Sequence, residues 1–252
     1  MTTSTFRGSV RSAKRRRSRV ERTAEPARGR PARLKSQGDD SEIVTVSFDL
    51  FGTLVDVETP DDPAAAVAEE LDARGVDVPA DFGRAYREVH IDAPDGAEVP
   101  LPAHVGASLS SRGVDVSGNA ARAAVVAAFD PTVSRREGAL DAIEAAADTG
   151  PVALCSNCSV PELVGRTLVR AGLHDAFDVA VTSVGLGWRK PDERVFEAVA
   201  SKLDCDPTAL VHVGDDPATD GGIEAIGGRF LDVSETSLSA IADRPERLRR
   251  DA

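Results

Sequence analysis

The sequence is poor in the residue types that mark several protein classes. Its three cysteines, Cys155, Cys158 and Cys205, are too few for a disulfide framework. No run of 18 or more apolar residues occurs, so we expect no membrane span. The N-terminus carries no apolar core of the kind that a signal peptide needs. We therefore expect a cytoplasmic protein, and 252 residues are enough to bury a sizeable core.

Lysine is scarce as well, with only four residues at positions 14, 35, 190 and 202. The chain has 42 Asp and Glu against 30 Lys and Arg, for a net charge of −12. An acidic body that uses arginine and little lysine is a composition typical of halophilic adaptation. Such a body should repel the phosphates of nucleic acids, so nucleic acid is not an expected partner of the main part of the chain.

The positive charge is concentrated in residues 1–40, which carry 12 Lys and Arg against 4 Asp and Glu. Low apolar content predicts a disordered basic tail. The run Lys14-Arg15-Arg16-Arg17 could bind a polyanion. The alternatives are a solvated tail without a partner and a translation start assigned too early. At the other end, residues 236–252 are weakly patterned, and we expect a second charged tail there.

Apolar, β-branched runs alternate with helical patterns along most of the chain. This alternation predicts an α/β fold in which helices cover a parallel sheet. Residues 57–135 interrupt it with several helical patterns, no convincing strand and no lysine. We therefore predict a core made of residues 41–56 and 136–235, with residues 57–135 as an inserted helical unit. The predicted strands cover residues 43–48, 152–155, 179–182, 210–213 and 229–231.

Polar residues follow the predicted strands where each strand ends. Asp49 follows the first strand and Ser156-Asn157 the second, Lys190 comes after the third, and Gly214-Asp215-Asp216 and then Asp220 follow the fourth. In open α/β sheets, ligands bind in the crevice at the carboxyl ends of the strands. Clustered carboxylates repel one another unless a cation sits among them, and oxygen ligands suit Mg²⁺. These parts are the ones that phosphoryl transfer needs.

Four segments in this order resemble the motifs of the haloacid dehalogenase-like (HAD) superfamily of hydrolases. Together they span about three quarters of the chain. The resemblance implies a Rossmann-like parallel sheet, and it implies that residues 57–135 form the all-helical cap that closes over the active site. The four segments are Asp49-Leu50-Phe51-Gly52-Thr53-Leu54, Leu154-Cys155-Ser156-Asn157, the stretch 188–196 that contains Lys190, and the stretch 213–220 that contains Asp215, Asp216 and Asp220.

The resemblance also implies roles for the residues that would act on the substrate. Asp49 would attack it and form a covalent aspartyl intermediate, which water then hydrolyses. Ser156 and Lys190 would hold the group being transferred, with help from the backbone N–H of Asn157. Thr53 would stabilise the loop of the nucleophile and belong to the substrate-binding set.

A metal site is implied in the same way. Asp49 and Asp215 would ligate Mg²⁺ together with the backbone carbonyl of Phe51. Asp216 or Asp220 would support the metal or orient the lysine. The expected substrate is a small phosphorylated molecule, hydrolysed with the help of the bound Mg²⁺.

One departure from the family pattern bears on the reaction. Phosphatases of this superfamily usually carry a second aspartate two residues after the nucleophile, where it protonates the leaving group and activates water. Phe51 stands at that position and can do neither. Losing general acid–base help costs about 10²–10⁴-fold in rate, and it matters least when the leaving group needs no proton. The dehalogenase branch has an aromatic residue here, whereas the intact acidic cluster of the fourth motif favours phosphoryl substrates.

Two alternatives therefore stay open beside a Mg²⁺-dependent phosphohydrolase. One is hydrolysis of a 2-haloacid without metal, in which Asp49 displaces halide. The other is a catalytically weak binding or scaffold protein on the same fold. Two further residue patterns have simpler interpretations: Cys155 and Cys158 have redox-motif spacing but lie in the second motif, and His212 is interpreted as a core histidine.

Overall fold

The computed structural model describes residues 44–249. The predicted basic tail, residues 1–40, and the first residues of the first predicted strand lie outside that range. Within it, no helix has both the length and the apolar character that crossing a lipid bilayer requires.

The core is a five-stranded sheet in the order β5-β4-β1-β6-β7, with every neighbouring pair parallel. The central strand β1 is buried along its whole length, as a parallel strand covered on both faces must be. This architecture confirms the predicted α/β, Rossmann-like fold. The strands of the sheet are β1 (Thr45–Phe48), β4 (Val152–Ser156), β5 (Val179–Thr182), β6 (Leu210–Gly214) and β7 (Arg229–Asp232), and a separate pair is formed by β2 (Val55–Val57) and β3 (Val133–Arg135).

Helices connect the strands, and several begin at side-chain caps that the sequence supplies. Asp62 accepts hydrogen bonds from two backbone N–H groups at the start of α1, and Ser117 caps α4 in the same way. In the described part of the chain the α-helices are α1 (Pro63–Asp72), α2 (Phe82–Arg87), α3 (Leu101–Ser110), α4 (Gly118–Ala128), α5 (Ala139–Thr149), α6 (Leu163–Ala171), α7 (Ser183–Leu186), α8 (Glu193–Leu203) and α9 (Leu238–Asp243), with short 3₁₀ helices at Pro207–Ala209, Asp220–Ile226 and Pro245–Leu248.

Strict alternation along the strands divides the core into two apolar clusters, one on each face of the sheet. On β1, Val46 and Phe48 belong to the larger cluster. The smaller cluster contains Cys155 from β4, Leu210 from β6 and Phe196 from α8. Because successive side chains of a strand point to opposite faces, Ser47 and Asp49 share the side of the smaller cluster.

Residues 57–135 contain helices α1 to α4, in keeping with the predicted helical insert. Val67 and Leu71 of α1 are buried, as is Val125 of α4, and α1 packs against α4. The expectation that this stretch contains no strand is wrong at its two ends. There β2 and β3 form an antiparallel pair, which brings both connections of the insert together at one place.

The predicted C-terminal tail is also corrected by the structure. Residues 238–248 form α9 and a 3₁₀ helix, and Leu238, Ile241 and Leu248 are buried. Helix α9 packs against α5 on the face of the larger cluster. Three apolar residues among many charges were too few to be recognised as a packed segment, although their spacing places Leu238 and Ile241 on one helical face.

If α9 is part of the core, truncating its buried side chain destabilises the whole domain. Replacing Ile241, which is fully buried, by Ala should lower the free energy of unfolding by about 2–5 kcal/mol. The matched control is Asp243→Ala at the exposed end of the same helix, which should change it by less than about 0.5 kcal/mol. Urea unfolding curves of the two variants and the parent protein check this. Equal stability of all three would mean that α9 does not pack as described.

Candidate active site

The carboxyl ends of the three central strands bring the predicted site residues together. Asp49 follows β1, Ser156 ends β4 and Asp215 follows β6, and these three strands are neighbours in the sheet. The backbone N–H of Asp49 donates to the carbonyl of Val213 at 2.9 Å, so the β1–β6 ladder continues up to the site. The crevice predicted from the strand ends is therefore where the sheet topology places it.

Lys190 reaches into this crevice with a side chain that is almost fully buried. Its ammonium donates three hydrogen bonds: to Asp49 Oδ1 at 2.7 Å, to Asp220 Oδ1 at 2.5 Å and to the carbonyl of Cys155 at 2.9 Å. An ammonium has three N–H donors, so all of them are used. Lys190 therefore ties β1, β4 and the segment after β6 to one point.

Two pairs of hydrogen bonds hold the loop that carries Lys190, one from Asn157 and one from the helical insert. The side chain of Asn157 accepts from the backbone N–H of Lys190 at 2.9 Å and donates to its carbonyl at 3.0 Å. From the insert, the N–H of Glu98 donates to the carbonyl of Gly187 at 3.0 Å, and the N–H of Arg189 donates to the carbonyl of Gly96 at 2.9 Å. The helical insert thus contacts the backbone directly before the lysine.

Burial dominates the electrostatics of the nucleophile position. Removal from water raises the pKa of Asp49 to about 6, although the charge of Lys190 opposes this shift. Burial alone would lower the pKa of Lys190, but the charges of Asp49 and Asp220 outweigh it and raise that pKa above its ordinary value. Asp49 is thus held as an incompletely compensated carboxylate beside a firmly protonated lysine.

Three carboxylates converge closely enough to hold a cation. Oxygens of Asp49, Asp215 and Asp220 lie within 4.8 Å of one another. Asp215 is exposed, and the hydroxyl of Thr53 orients it with a hydrogen bond of 2.9 Å to Oδ1. At Gly52 a Cβ atom would lie 2.4 Å from Asp215 Oδ2, and the backbone there has a φ of +83°. Only glycine allows this close approach, which keeps the carboxylate of Asp215 against the loop that follows Asp49.

Thr53 differs from its expected place in the substrate-binding set. It is fully buried, and its hydroxyl is engaged by Asp215, so it orients a carboxylate instead of facing a ligand. The hydroxyl forms this bond with a residue 162 positions away, which a local motif does not reveal.

Asp216 is not part of the cluster in which the sequence placed it. Its exposed carboxylate accepts from the backbone N–H of Ala218 and the hydroxyl of Thr219, both at 3.0 Å, in a local turn. Asp220 does lie in the cluster, and both of its carboxylate oxygens accept hydrogen bonds from other groups of the protein. Oδ1 accepts from Lys190 and His212, and Oδ2 accepts from the backbone N–H groups of Asp215 and Asp216 at 3.1 Å.

Ser156 and Phe51 complete the predicted set. The hydroxyl of Ser156 is buried and has no hydrogen-bond partner among residues 44–249, so it can donate to a ligand without breaking an existing bond. Phe51 is half-buried, its ring packs against the larger apolar cluster, and its backbone carbonyl is the one oxygen that it can offer to a cation. Neither a proton donor nor a base stands at its position.

His212 has more polar contacts than a core histidine needs. It is fully buried on β6, with Nδ1 2.9 Å from the hydroxyl of Ser47 and Nε2 3.1 Å from Asp220 Oδ1. Burial lowers the pKa of His212 to about 4, and the neighbouring charge of Lys190 adds to this effect, so the ring is neutral. Sequence reasoning missed this contact, because the residue of β6 that faces Ser47 is set by the register between β1 and β6.

Comparison with known families places this site in context. Residues 43–227 match the family model described as haloacid dehalogenase-like hydrolase. Over 65 residues the chain is 38% identical to glyceraldehyde 3-phosphate phosphatase of Methanothermobacter thermautotrophicus, a match that covers 23% of this chain and 29% of that protein. Over 72 residues it is 36% identical to human haloacid dehalogenase-like hydrolase domain-containing protein 3, covering 28% and 29%. The chain thus spans less than a third of the length of these curated relatives.

Solved structures share the fold over a larger part of the chain. A 2-haloacid dehalogenase from Pseudomonas syringae pv. Tomato DC3000 superposes with a TM-score of 0.63 at 20% identity, covering 82% of this chain and 99% of that one. CbbY from Rhodobacter sphaeroides in complex with phosphate gives a TM-score of 0.50 at 20% identity, covering 75% and 85%. At such identities the likeness concerns the fold alone.

The raised pKa of Asp49 predicts how its charge affects stability. Because the folded state binds this proton more tightly than the unfolded chain, the resulting stability is present below about pH 4 and is lost as the pH rises through about 6. In EDTA, Asp49→Asn should therefore be more stable than the parent at pH 7.5, by roughly 3 kcal/mol. The gain should shrink towards pH 4.5.

The matched comparison is Lys190→Met, which removes the cation from two buried carboxylates. It should lower the free energy of unfolding at pH 7.5 by roughly 3–5 kcal/mol. Urea unfolding of both variants at the two pH values provides the measurement. If the Asp49→Asn protein is less stable than the parent at pH 7.5, the description of Asp49 as an incompletely compensated carboxylate is wrong.

Proposed function

The chain belongs to the haloacid dehalogenase-like hydrolases, and from this premise we propose that it is a Mg²⁺-dependent phosphohydrolase of a small metabolite, acting through Asp49. The observation that carries the proposal is the pair of donors beside that carboxylate. The buried ammonium of Lys190 and the unpartnered hydroxyl of Ser156 lie at the same strand ends as Asp49. A nucleophilic carboxylate next to donors for an anionic group suits transfer of a phosphoryl group.

The proposed reaction has two steps, attack by Asp49 on phosphorus and hydrolysis of the resulting aspartyl phosphate. One carboxylate oxygen of Asp49 attacks phosphorus, the bond from phosphorus to the leaving-group oxygen breaks, and that oxygen keeps the electron pair. Ser156 donates a hydrogen bond to an oxygen of the phosphoryl group, and Lys190, whose three N–H donors are engaged, stabilises the group through its positive charge. Water then attacks phosphorus in the aspartyl phosphate, the bond from phosphorus to the Asp49 oxygen breaks, and a proton of the water passes to solvent, which releases phosphate and restores Asp49.

The acidic cluster fits a divalent cation. Asp49 and Asp215 would hold Mg²⁺ through carboxylate oxygens, and Phe51 would add its backbone carbonyl. The glycine at position 52, where any side chain would collide with Asp215, keeps these groups close. When bound, Mg²⁺ offsets the negative charge of the phosphoryl oxygens beside the acidic residues. Because the oxygens of Asp220 are engaged by four donors, we assign that residue to orienting Lys190.

Phe51 restricts the classes of phosphorylated substrate that we propose for this site. With no acid at this position, an alkoxide leaving group would depart unprotonated, at a cost of about 10²–10⁴-fold in rate. The carboxylate released from an acyl phosphate needs no proton. We therefore propose that the substrate is an acyl phosphate or a phosphoanhydride of small size.

Two groups of contacts support the proposal that the helical insert acts as a cap. Its residues 96–98 contact the loop of Lys190, and the N–H of Leu101 donates to the carbonyl of Ser159, in the loop that follows Ser156 and Asn157, at 2.8 Å. Residues of the insert therefore border the crevice on the side of the second and third motifs. We propose that the insert closes over bound substrate and sets its size.

Hydrolysis assays with two phosphate compounds test this function. Acetyl phosphate and p-nitrophenyl phosphate should both release phosphate when Mg²⁺ is present, and acetyl phosphate should react at least about tenfold faster because its leaving group needs no proton. EDTA should abolish both activities, and added Mg²⁺ should restore them. Equal rates for an alkyl phosphate and acetyl phosphate would contradict the interpretation of Phe51.

Removing the nucleophile tests the covalent step. Asp49→Asn should reduce turnover of acetyl phosphate to background while the thermal unfolding transition is retained, because an amide does not replace the carboxylate as a nucleophile. Glu69→Gln, on the exposed surface of α1, is the control for charge removal and should keep full activity. Substantial turnover by Asp49→Asn would exclude the proposed intermediate.

A second candidate is supported by Phe51 as well. Displacement of halide from a 2-haloacid by Asp49 needs no acid, since halide leaves without a proton. Release of chloride from 2-chloropropionate that is unaffected by EDTA would favour this reaction over phosphoryl transfer. If neither substrate class is turned over, the alternative of a binding protein on a hydrolase fold gains support.

A further inference from the structure

Two polar residues of the sheet interior are not among the residues of the four motifs that act on a substrate. Ser47 on β1 and His212 on β6 are cross-strand partners in the parallel register, and both are fully buried. Their side chains lie on the face of the smaller apolar cluster, where the ring of Phe196 packs edge-on against His212 at 5.2 Å between centroids. An apolar pair could fill this place, so the polar pair calls for an explanation.

The contacts define which ring nitrogen carries the proton. Nε2 of His212 lies 3.1 Å from Asp220 Oδ1 and 3.5 Å from the ammonium of Lys190. If Nε2 had no proton, its lone pair would face a carboxylate lone pair, so Nε2 is the donor to Asp220. Nδ1 is then an acceptor, and the hydroxyl of Ser47 donates to it over 2.9 Å.

These bonds form a continuous chain that ends on the nucleophile. Ser47 donates to His212, His212 donates to Asp220, Asp220 accepts from Lys190, and Lys190 donates to Asp49. The same Asp220 oxygen accepts from both His212 and Lys190. The hydrogen bond from His212 therefore fixes the position at which Asp220 Oδ1 accepts the hydrogen bond of Lys190.

We propose that Ser47 and His212 are positioning residues, which hold the Asp220 carboxylate where it places the Lys190 ammonium against Asp49. Ser47 acts by selecting the ring tautomer that donates through Nε2. Without that donor only the lysine itself holds Oδ1 of Asp220, so this oxygen can shift while the backbone N–H groups keep Oδ2 in place, and the lysine follows it. The inference rests on the proposed function only insofar as catalysis depends on Lys190.

The tautomer can be tested without any activity. In the folded protein with ¹⁵N-labelled histidine, the ring resonances of His212 should show the neutral form protonated at Nε2 at pH 7. His212→Gln identifies the signal among the four histidines of the chain. Ser47→Ala should shift the ring towards a mixture of tautomers, because the donor to Nδ1 is lost. A ring protonated at Nδ1 in the parent protein would overturn the proposal.

Kinetics of three single-site variants test the consequence for catalysis. His212→Leu fills the space without a donor and should lower kcat for acetyl phosphate about 10- to 100-fold, while KM changes less than threefold. His212→Gln can place an amide N–H near the position of Nε2 and should recover most of that loss. Ser47→Ala should lower kcat by severalfold.

A double variant separates positioning from packing. If Ser47 acts through His212, then Ser47→Ala should cause no further loss of kcat in the His212→Leu protein. Independent losses that multiply, or losses that follow the fraction of folded protein in thermal unfolding, would indicate a structural role and overturn the proposal. Failure of the proposed function is recognised separately, because the parent protein would then show no Mg²⁺-dependent hydrolysis at all.

Discussion

The ion cluster around Lys190 is the constraint on which the site depends. Two buried carboxylates belong to it, Asp49 directly after β1 and Asp220 at the start of the 3₁₀ helix that follows β6, and they would repel each other without a cation between them. Lys190 supplies that cation from a loop beyond the edge strand β5. Because removing the lysine leaves two buried carboxylates without their cation, the position of this loop matters for the fold as well as for chemistry.

The surrounding structure can be understood as support for that loop. Asn157 fixes the backbone of Lys190 from the end of β4, and the insert contributes a bridge between Gly96–Glu98 and Gly187–Arg189. A movement of the insert would therefore disturb the segment that carries the lysine. If the insert closes over substrate as proposed, its movement would be coupled to the position of the Lys190 ammonium through these backbone hydrogen bonds.

The neighbouring groups stabilise the charges of the two carboxylates unequally. The less stabilised one, Asp49, is the one suited to act as a nucleophile. Asp220 is satisfied by His212, Lys190 and two backbone N–H groups, whereas for Asp49 burial outweighs the lysine and raises the pKa to about 6. A carboxylate that is fully hydrogen-bonded makes a stable anchor, and one that is left partly uncompensated has free lone pairs for a cation or a substrate. The environments of the two aspartates therefore differ in the way that the different roles proposed for them require, although their side chains are identical.

The sequence by itself determined the sheet, the order of its strands' polar ends, and the meeting of Asp49, Ser156, Lys190 and Asp215 in one crevice, because strand periodicity and terminal polar residues are local signals. Tertiary structure alone decided which side chains were already engaged. Thr53 was directed to a carboxylate 162 residues away, and Asp216 was turned into its own local loop. Likewise the C-terminal segment became a packed helix, and the bond between Ser47 and His212 arose from strand register over 165 residues. Such contacts depend on register and packing between distant segments, which no local pattern encodes.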